Sequence, residues 1–257
     1  SFPTRRSSDL AALRSDRGGG TLTVSKGTYE TTGNGSPAVY CTAAVTVSDA
    51  ALKSSASEGI VIEGKNSVEL TNVDLTANNT TNNGNSYSNK GIMIYQSMSG
   101  DAESGVSVFK MTGGSYTNKI GDLFNVTDTA CEITLSGVNI TNEDTDTSDK
   151  SGYALTIEGN NAGWGTTGKN GGDVSLTLEN QTLKGDIIVD SISSLKITKD
   201  AASTIDGTIY VVTSGDGDNK GTVTGDTDGL TIEEISLDKF YEMRPEKAGV
   251  GAAGSSS

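Results

Sequence analysis

Histidine is entirely absent from this chain of 257 residues. Without an imidazole there can be no Ser-His-Asp or Cys-His nucleophile pair, no histidine-ligated zinc or haem, and no imidazole base near neutral pH. Arginine is also missing between residues 18 and 243. These absences exclude most familiar hydrolase chemistry, and we expect no cofactor.

Positive charge is scarce, with 19 basic against 33 acidic side chains and a formal net charge of -14. Such a surface repels phosphate backbones, so nucleic acid is not an expected partner. No apolar run reaches the roughly 18 residues of a membrane-spanning helix, and none is predicted. The abundant residues are 33 glycines together with Thr, Ser, Asn and aliphatic residues, which favour strands and turns.

A short pattern repeats along the chain. It consists of an apolar residue, any residue, a second apolar residue, usually Ser or Thr, and after three variable positions another apolar residue. Its copies begin at Leu22, Val45, Val68, Phe109, Ile133, Leu176 and, in a shorter form, Leu195. The base period is 23 residues, as from Leu22 to Val45, with two insertions. Such self-similarity is typical of solenoids.

A second short apolar run lies between successive copies of the pattern, at residues 38–40, 59–62, 91–94, 122–124, 153–157, 186–189 and 209–212. Each repeat therefore offers two or three short strands that cannot bury an apolar face alone. Stacking the repeats at about 4.8 Å gives parallel sheets around one inner column. The sequence predicts an all-β parallel β-helix of about seven to eight coils.

A β-sandwich also has short strands at 8 to 12 residue spacing, but it does not explain a period of 23 with apolar positions in register. The β-helix predicts that Val24, Val47, Leu70, Met111, Leu135 and Leu178 form a single file. Cys41 and Cys131 would then lie about three coils apart, roughly 14 Å, beyond reach of a disulfide. We expect both thiols to be free and buried.

The ends of the chain differ from its body. The first ten residues, SFPTRRSSDL, resemble a translated sequencing adapter, so residues 1–18 are interpreted as an artefact and disordered lead-in, and a signal peptide is presumed lost. Residues 19–232 form the predicted β-helix, and residues 233–243, at the end of an apolar stretch that starts at Gly229, are a candidate C-terminal cap. The small-residue stretch 244–257 is predicted to be a disordered tail.

The stretches ELTNVDLT, TLSGVNIT and DVSLTLENQTLKGDIIVDSISSLKITKDAASTIDGTI carry a family resemblance. Residues 19–232 resemble the right-handed parallel β-helix domains of the pectin-lyase-like superfamily, above all adhesin-like and autotransporter-like extracellular proteins of gut anaerobic bacteria. The resemblance implies a single-stranded right-handed solenoid at the bacterial cell surface or outside the cell. It implies little about activity, because the superfamily includes lyases, hydrolases, esterases and adhesins.

The catalytic signatures of that superfamily's enzymes are missing. Its lyases use an Arg or Lys base with calcium held by several Asp, and its galacturonases use an adjacent Asp pair, a Gly-His-Gly and an Arg-Ile-Lys. None of these last three motifs occurs here, and the lysines are scattered. Acidic pairs such as Asp186 and Asp190 are interpreted as solvated turn charges. We predict no catalytic residues and no enzyme.

One stretch, residues 215–221, has the first two acidic spacings of a calcium-binding EF-hand loop, at Asp216 and Asp218. Its fifth loop position is Lys220 and its twelfth is Thr227 in place of a bidentate Glu. Asp-Gly-Asp is more typical of a turn. We predict no bound metal and keep these two residues as the candidates for Ca²⁺.

Trp164 lies in an insertion of mostly Gly, Asn and Thr, where it cannot belong to the coil core. Its indole could stack on a sugar ring while neighbouring polar groups bind hydroxyls, or it could fold back over a coil flank. A second insertion, residues 77–90, has a similar composition. We expect both loops to project from one side of the rod. The candidate carbohydrate contacts are Trp164, Asn160, Asn161, Lys169 and Tyr87.

The sequence thus favours a non-enzymatic adhesin-like rod, outside the cell or on its surface, whose loops contact a glycan or a host surface protein. We expect a monomer. Two alternatives stay open. The first is a carbohydrate-active enzyme, a polysaccharide lyase or hydrolase with an atypical site, which convergent Asp, Glu and Lys side chains of shifted pKa in a lateral groove would favour. The second is a purely structural stalk.

Overall fold

The chain folds into stacked parallel strands. The computed structural model describes residues 11–15, 19–80, 89–97, 100, 102–145, 151–159 and 171–247. In chain order the strands are β1 (Leu13–Arg14), β2 (Thr21–Ser25), β3 (Thr28–Thr31), β4 (Val39–Cys41), β5 (Ala44–Ser54), β6 (Ile60–Glu63), β7 (Ser67–Ala77), β8 (Lys90–Tyr95), β9 (Val106–Thr112), β10 (Ser115–Asn118), β11 (Asp122–Thr127), β12 (Ala130–Ser136), β13 (Asn139–Asn142), β14 (Leu155–Ile157), β15 (Asp173–Glu179), β16 (Thr182–Lys184), β17 (Ile187–Val189), β18 (Ser194–Lys199), β19 (Thr204–Asp206), β20 (Thr208–Val212), β21 (Thr222–Gly225) and β22 (Thr231–Ile235).

Three parallel sheets wrap around one core. Sheet A has nine strands in the order β1-β4-β6-β8-β11-β14-β17-β20-β22, one per coil. Sheet B contains eleven strands, because the long strands β5 and β7 continue past a corner. There β3 pairs with β5, β10 pairs with β7, and β13 pairs with β10. Sheet C is the pair β16-β19. This arrangement confirms the predicted parallel β-helix. The apolar runs that lie between copies of the repeated pattern form the strands of sheet A.

The predicted inner file is present. Parallel pairing sets Val24 opposite Val47, Val47 opposite Leu70, and Leu70 opposite Met111. The file continues through Leu135 to Leu178. From Val47 onwards these side chains are almost fully buried, and Val24 packs against the same core. The seven-copy alignment is therefore correct for its first six members.

The seventh copy is displaced by two residues. The sequence pattern aligned Leu195 with Leu176, but the strands pair Leu195 with Val174 and Ile197 with Leu176. A shift of two keeps every side chain on its own face, because strand side chains alternate with a period of two. Both leucine and isoleucine remain buried, so the apolar pattern alone could not distinguish the two registers.

One corner of the helix is built by residues in the left-handed conformation. The register places six of them above one another, with φ between 45° and 65°, namely Lys26, Asp49, Asn72, Gly113, Gly137 and Asn180. Asn and Asp tolerate this conformation, and glycine adopts it without a Cβ penalty. The Asn72 Nδ2 also donates to Asp49 Oδ1 at 2.7 Å. The variable positions of the repeat thus encode the bend between sheet B's two faces.

The C-terminal segment folds back onto the outside of sheet A. Helix α1 (Leu237–Met243) follows β22 after Ser236, whose side chain accepts a hydrogen bond from Lys239 N. Phe240 of α1 packs with Ile188 and Val212, in a cluster separate from the inner core. No helix in the described ranges is long and apolar enough to cross a membrane.

Residues 244–247 do not form the disordered tail that the sequence predicted. Pro245–Lys247 is a 3-10 helix, and Arg244 and Lys247 are buried. Their charges are held by carboxylates of the coils, which a low-complexity composition does not reveal. Residues 248–257 lie outside the described residues.

The two cysteines are free and buried, as expected. Cys41 lies in β4 and Cys131 in β12, on the second and fifth coils. Burial raises the pKa of the Cys41 thiol to about 11 and raises that of Cys131 further. Both thiols therefore stay protonated and act as small apolar side chains.

Truncating the inner file at a central coil should destabilise the whole molecule. We expect Leu135→Ala to lower the free energy of unfolding by about 2 to 5 kcal/mol, because the neighbouring coils cannot close the cavity. Glu132→Ala, on the outer side of the same strand and exposed, is the matched control and should change stability by less than about 0.5 kcal/mol. Chemical denaturation measures both, and equal effects would contradict the inner-file assignment.

Candidate functional site

The predicted carbohydrate contacts Trp164, Asn160, Asn161, Lys169 and Tyr87 all lie outside the described residues, so they stay a prediction. The side of the rod from which their loops project stays a prediction as well. Residues 78–89 lead from β7 of sheet B into β8 of sheet A, whereas residues 158–172 lead from β14 of sheet A into β15 of sheet B. The two insertions therefore attach at opposite ends of sheet A strands, the first at the N-terminal end of β8 and the second at the C-terminal end of β14.

The two calcium candidates belong to an exposed turn. Asp216 Oδ1 accepts hydrogen bonds from Ser214 Oγ at 2.6 Å and from Asp218 N at 3.0 Å, which lower the pKa of Asp216. The turn is closed by an antiparallel bridge between Thr213 and Lys220. Within the described part of the chain, no group of three or more His, Cys, Asp or Glu side chains is arranged to hold a metal ion.

The notable concentration of ionisable groups lies on the outer face of sheet A. Alternation along β11 directs Phe124 and Val126 into the core and Asn125 outwards. Thr156 lies opposite Asn125 on the next coil, and Asp122 lies opposite Lys90 on the preceding one. All of these polar side chains are buried. The face is thus a polar layer inside the protein rather than a solvated surface.

Arg244 lies at the centre of this layer. Its Nη1 is 3.0 Å from Asp122 Oδ2, its Nη2 is 2.5 Å from Glu158 Oε1, and its Nε donates to Glu158 Oε2 at 3.2 Å. The guanidinium also lies over the ring of Tyr153, with 5.5 Å from Cζ to the centroid. A bidentate carboxylate pair with a stacked aromatic ring is a geometry that arginine satisfies and lysine does not.

A second cation from the same segment completes the contact. Lys247 Nζ donates to Gly159 O at 2.7 Å and lies 3.6 Å from Glu158 Oε1. The backbone of Gly159 is held in turn, because its N–H donates to Asp190 Oδ2 at 2.7 Å. Asp190 was interpreted from the sequence as a solvated turn charge, but it is buried and accepts a 2.6 Å hydrogen bond from Ser193 Oγ.

The carboxylates and cations of this layer have shifted pKa values. Burial lowers the pKa of Lys90 to about 8 against the attraction of Glu58, and it raises the pKa of Asp122 to about 6 although Arg244 opposes it. Burial also raises the pKa of Asp190 to about 6. For Glu158 burial acts upwards, but Arg244 and Lys247 outweigh it and hold its pKa at about 2.

We call residues 236–247 the strap, and the outer-face residues Asp122, Asn125, Tyr153, Thr156 and Glu158 the receptor. The exposed fractions of Asp122, Glu158, Arg244 and Lys247 lie between 0 and 3%. Because desolvation offsets most of the Coulomb attraction of buried pairs, such a network specifies geometry more than it stabilises. The strap is therefore fixed in one position, and the receptor is closed to any substrate while the strap is docked.

Sequence analysis missed this cluster. Arg244 was assigned to the tail by composition, and Asp122 and Glu158 were not singled out. One signal was available, since Arg244 is the sole arginine after residue 17, and an arginine retained alone in an acidic chain is a candidate for a specific carboxylate partner. The partners themselves, 86 and 122 residues earlier in the chain, could be identified only from the fold.

Removing the guanidinium should release the strap. We expect Arg244→Ala to weaken docking by about 3 to 5 kcal/mol, because two buried carboxylates lose their partner. Hydrogen exchange at the Phe240 and Arg244 positions, whose amides bond Ser236 O and Phe240 O, should accelerate by more than about a hundredfold. Lys239→Ala, which removes an exposed 3.3 Å pair with Glu242, is the control and should have little effect. Equal hydrogen-exchange protection of these amides in both variants would contradict the role of Arg244 in holding the strap.

Asp190 should give stability a pH dependence of defined sign. Its pKa rises from 3.8 to about 6 on folding, so the folded state binds this proton more tightly than the unfolded state does. The contribution is fully present below about pH 4 and is lost as pH rises through 6. The free energy of unfolding of the wild type, minus that of Asp190→Asn, should therefore fall by up to about 3 kcal/mol over this range. A difference that rises with pH would contradict the burial of the carboxylate.

Comparison with protein-family models, with curated proteins and with solved structures found no match in any of the three. The fold is therefore assigned from the structure itself. It is a parallel β-helix in which the C-terminal strap covers the outer face of sheet A.

Proposed function

We propose that this protein is a non-enzymatic, adhesin-like β-helical rod of the bacterial cell exterior that presents loops for contact with a glycan or a host surface protein. The observation that carries the proposal is the closure of the one dense ionisable cluster found in the described part of the chain. Asp122 and Glu158 form buried ion pairs with Arg244 and Lys247. A substrate therefore has no access to these two carboxylates.

The remaining surface supports contact rather than chemistry. The outward positions of sheet B are occupied by Thr23, Thr46, Glu69, Lys110 and Thr134, and Glu69 lies directly opposite Lys110. Hydroxyl and charged side chains along a straight rod suit a solvated lateral face. The net charge of -14 favours solubility outside the cell and disfavours anionic surfaces as ligands.

The loops are the part of the rod proposed to bind. Both insertions connect to strands of sheet A, one at the N-terminal end of β8 and the other at the C-terminal end of β14. An exposed indole supplies the flat apolar surface on which a sugar ring stacks, and loop amides supply hydrogen bonds to hydroxyls. The cell-exterior location rests on the pectin-lyase-like resemblance of residues 19–232.

A carbohydrate-active enzyme is the second candidate, and one observation favours it. Lys90 and Asp122 lie opposite each other on adjacent strands, and burial moves their pKa values towards neutrality, to about 8 and about 6. Opposed shifts in neighbouring groups are typical of acid and base pairs. This function requires the strap to leave the receptor, since both groups are closed off while it is docked.

Glycan binding by the wild type, Trp164→Ala and Trp164→Phe tests the proposal. We expect a subset of glycans to bind the wild type, Trp164→Ala to weaken binding about tenfold, and Trp164→Phe to retain part of it, because a phenyl ring still stacks.

Unchanged thermal unfolding of both variants would show that Trp164 is not part of the core. Absence of binding to any glycan or host surface protein would leave a structural stalk. New reducing ends or unsaturated products from a polysaccharide incubated with Arg244→Ala would favour the enzyme.

A further inference from the structure

The sheet supplies hydrogen bonds that orient the receptor side chains. Asn125 Nδ2 donates to Thr156 Oγ1 at 2.8 Å and to Glu158 Oε1 at 3.1 Å, and the Thr156 hydroxyl lies 3.4 Å from Asp122 Oδ2. Tyr153 N donates to Asp122 Oδ1 at 3.0 Å. These bonds connect β11, β14 and their adjoining residues, which parallel pairing already fixes. The carboxylates are therefore held ready for a planar cation.

The strap contributes three buried anchors, Phe240, Arg244 and Lys247. Phe240 lies in α1, Arg244 caps the C-terminus of that helix, and Lys247 ends the 3-10 helix that follows. Among the seven residues of α1, Phe240 is the buried one, and Ser236 alone separates the helix from β22. A helix this short has little stability of its own. Its position depends on the anchors, and one backbone joint connects it to the rod.

Charge complementarity makes an empty receptor unfavourable. Asp122, Glu158 and Asp190 come from successive coils, whose strands are about 4.8 Å apart. The two cations of the strap lie against Asp122 and Glu158. Lys90 and Glu58 are the further charged groups of the same face, and they act on each other. Withdrawing the strap removes Arg244 and Lys247 together, so the receptor needs a replacement that carries the same two charges.

We propose that the receptor is an arginine-specific docking site, that the strap fills it in cis, and that the strap of a second copy can fill it in trans. The second copy is the fitting occupant because it carries the same three anchors at the same spacing. Exchange of an identical element keeps every contact and changes only the connection at Ser236, which is the physical basis of domain swapping. Two rods would then be joined side by side through their sheet A faces, in place of the monomer expected from the sequence. This inference does not depend on glycan binding.

A peptide experiment tests the docking site. The probe is a fluorescent peptide of residues 236–247, SLDKFYEMRPEK, and the receptor is the full chain carrying Phe240→Ala and Arg244→Gln, which weaken its own strap. We expect saturable binding by anisotropy to this variant, binding at least tenfold weaker to the wild type, and binding at least tenfold weaker for a peptide with Arg244→Gln or Arg244→Lys. Equal binding by the three peptides, or none to a variant with wild-type strand content by circular dichroism, would overturn the proposal. If the double variant does not fold, Phe240→Ala alone takes its place.

Oligomer measurements test the occupant. We expect the wild type to form a dimer fraction that rises with concentration in size-exclusion chromatography with light scattering, and Arg244→Gln to stay monomeric at the same concentrations. Lys239→Ala, outside the anchors, is the control and should dimerise like the wild type. A wild type that remains monomeric after being concentrated, and after brief unfolding and refolding at high concentration, would overturn the second copy as occupant.

Discussion

The stacking of each coil's aliphatic side chains directly on those of the preceding coil is the constraint on which the rest of the molecule depends. Parallel pairing leaves side chains alternating between two faces, so a slip of one residue would exchange core and surface along a whole strand. The inner file from Val47 to Leu178 excludes such a slip. Once it is fixed, strand alternation also places Asn125, Thr156 and Glu158 on the outer face of sheet A. Asp122 does not follow this alternation; it lies at the first position of β11, where Tyr153 N donates to its carboxylate.

The strap uses a different kind of interaction. Its apolar contribution is small, a few side chains around Phe240, and its position is set by Arg244 between two buried carboxylates. Buried pairs of this kind contribute little net stability because desolvation opposes the Coulomb attraction, yet they penalise every misplaced arrangement. The apolar core tolerates a shift in register, since the last copy of the repeat is displaced by two residues and stays buried. The ion pairs of Arg244 on the outer face of sheet A, in contrast, require one specific arrangement.

Coverage of the receptor by the strap bears on both proposals for function. Asp122, Asp190 and Lys90 have pKa values shifted towards neutrality by burial, a property of working active sites and also of any desolvated charge. Here the docked strap supplies part of the charge that acts on Asp122 and Lys90. A closed strap favours a rod that acts through its loops. An exchanged strap would add a lateral contact between rods, which multiplies weak loop contacts without changing any of them.

The sequence by itself determined the fold class, the two strand positions per coil, the inner file and the free cysteines, because each follows from a local pattern repeated every 23 residues. It did not determine the register of Leu195, since a shift of two residues preserves the pattern. Only the tertiary structure decided the site. Arg244, Asp122 and Glu158 are far apart in the chain, and no local periodicity records that the C-terminal segment returns to sheet A. Long-range electrostatic complementarity becomes visible only when the coils have placed the carboxylates.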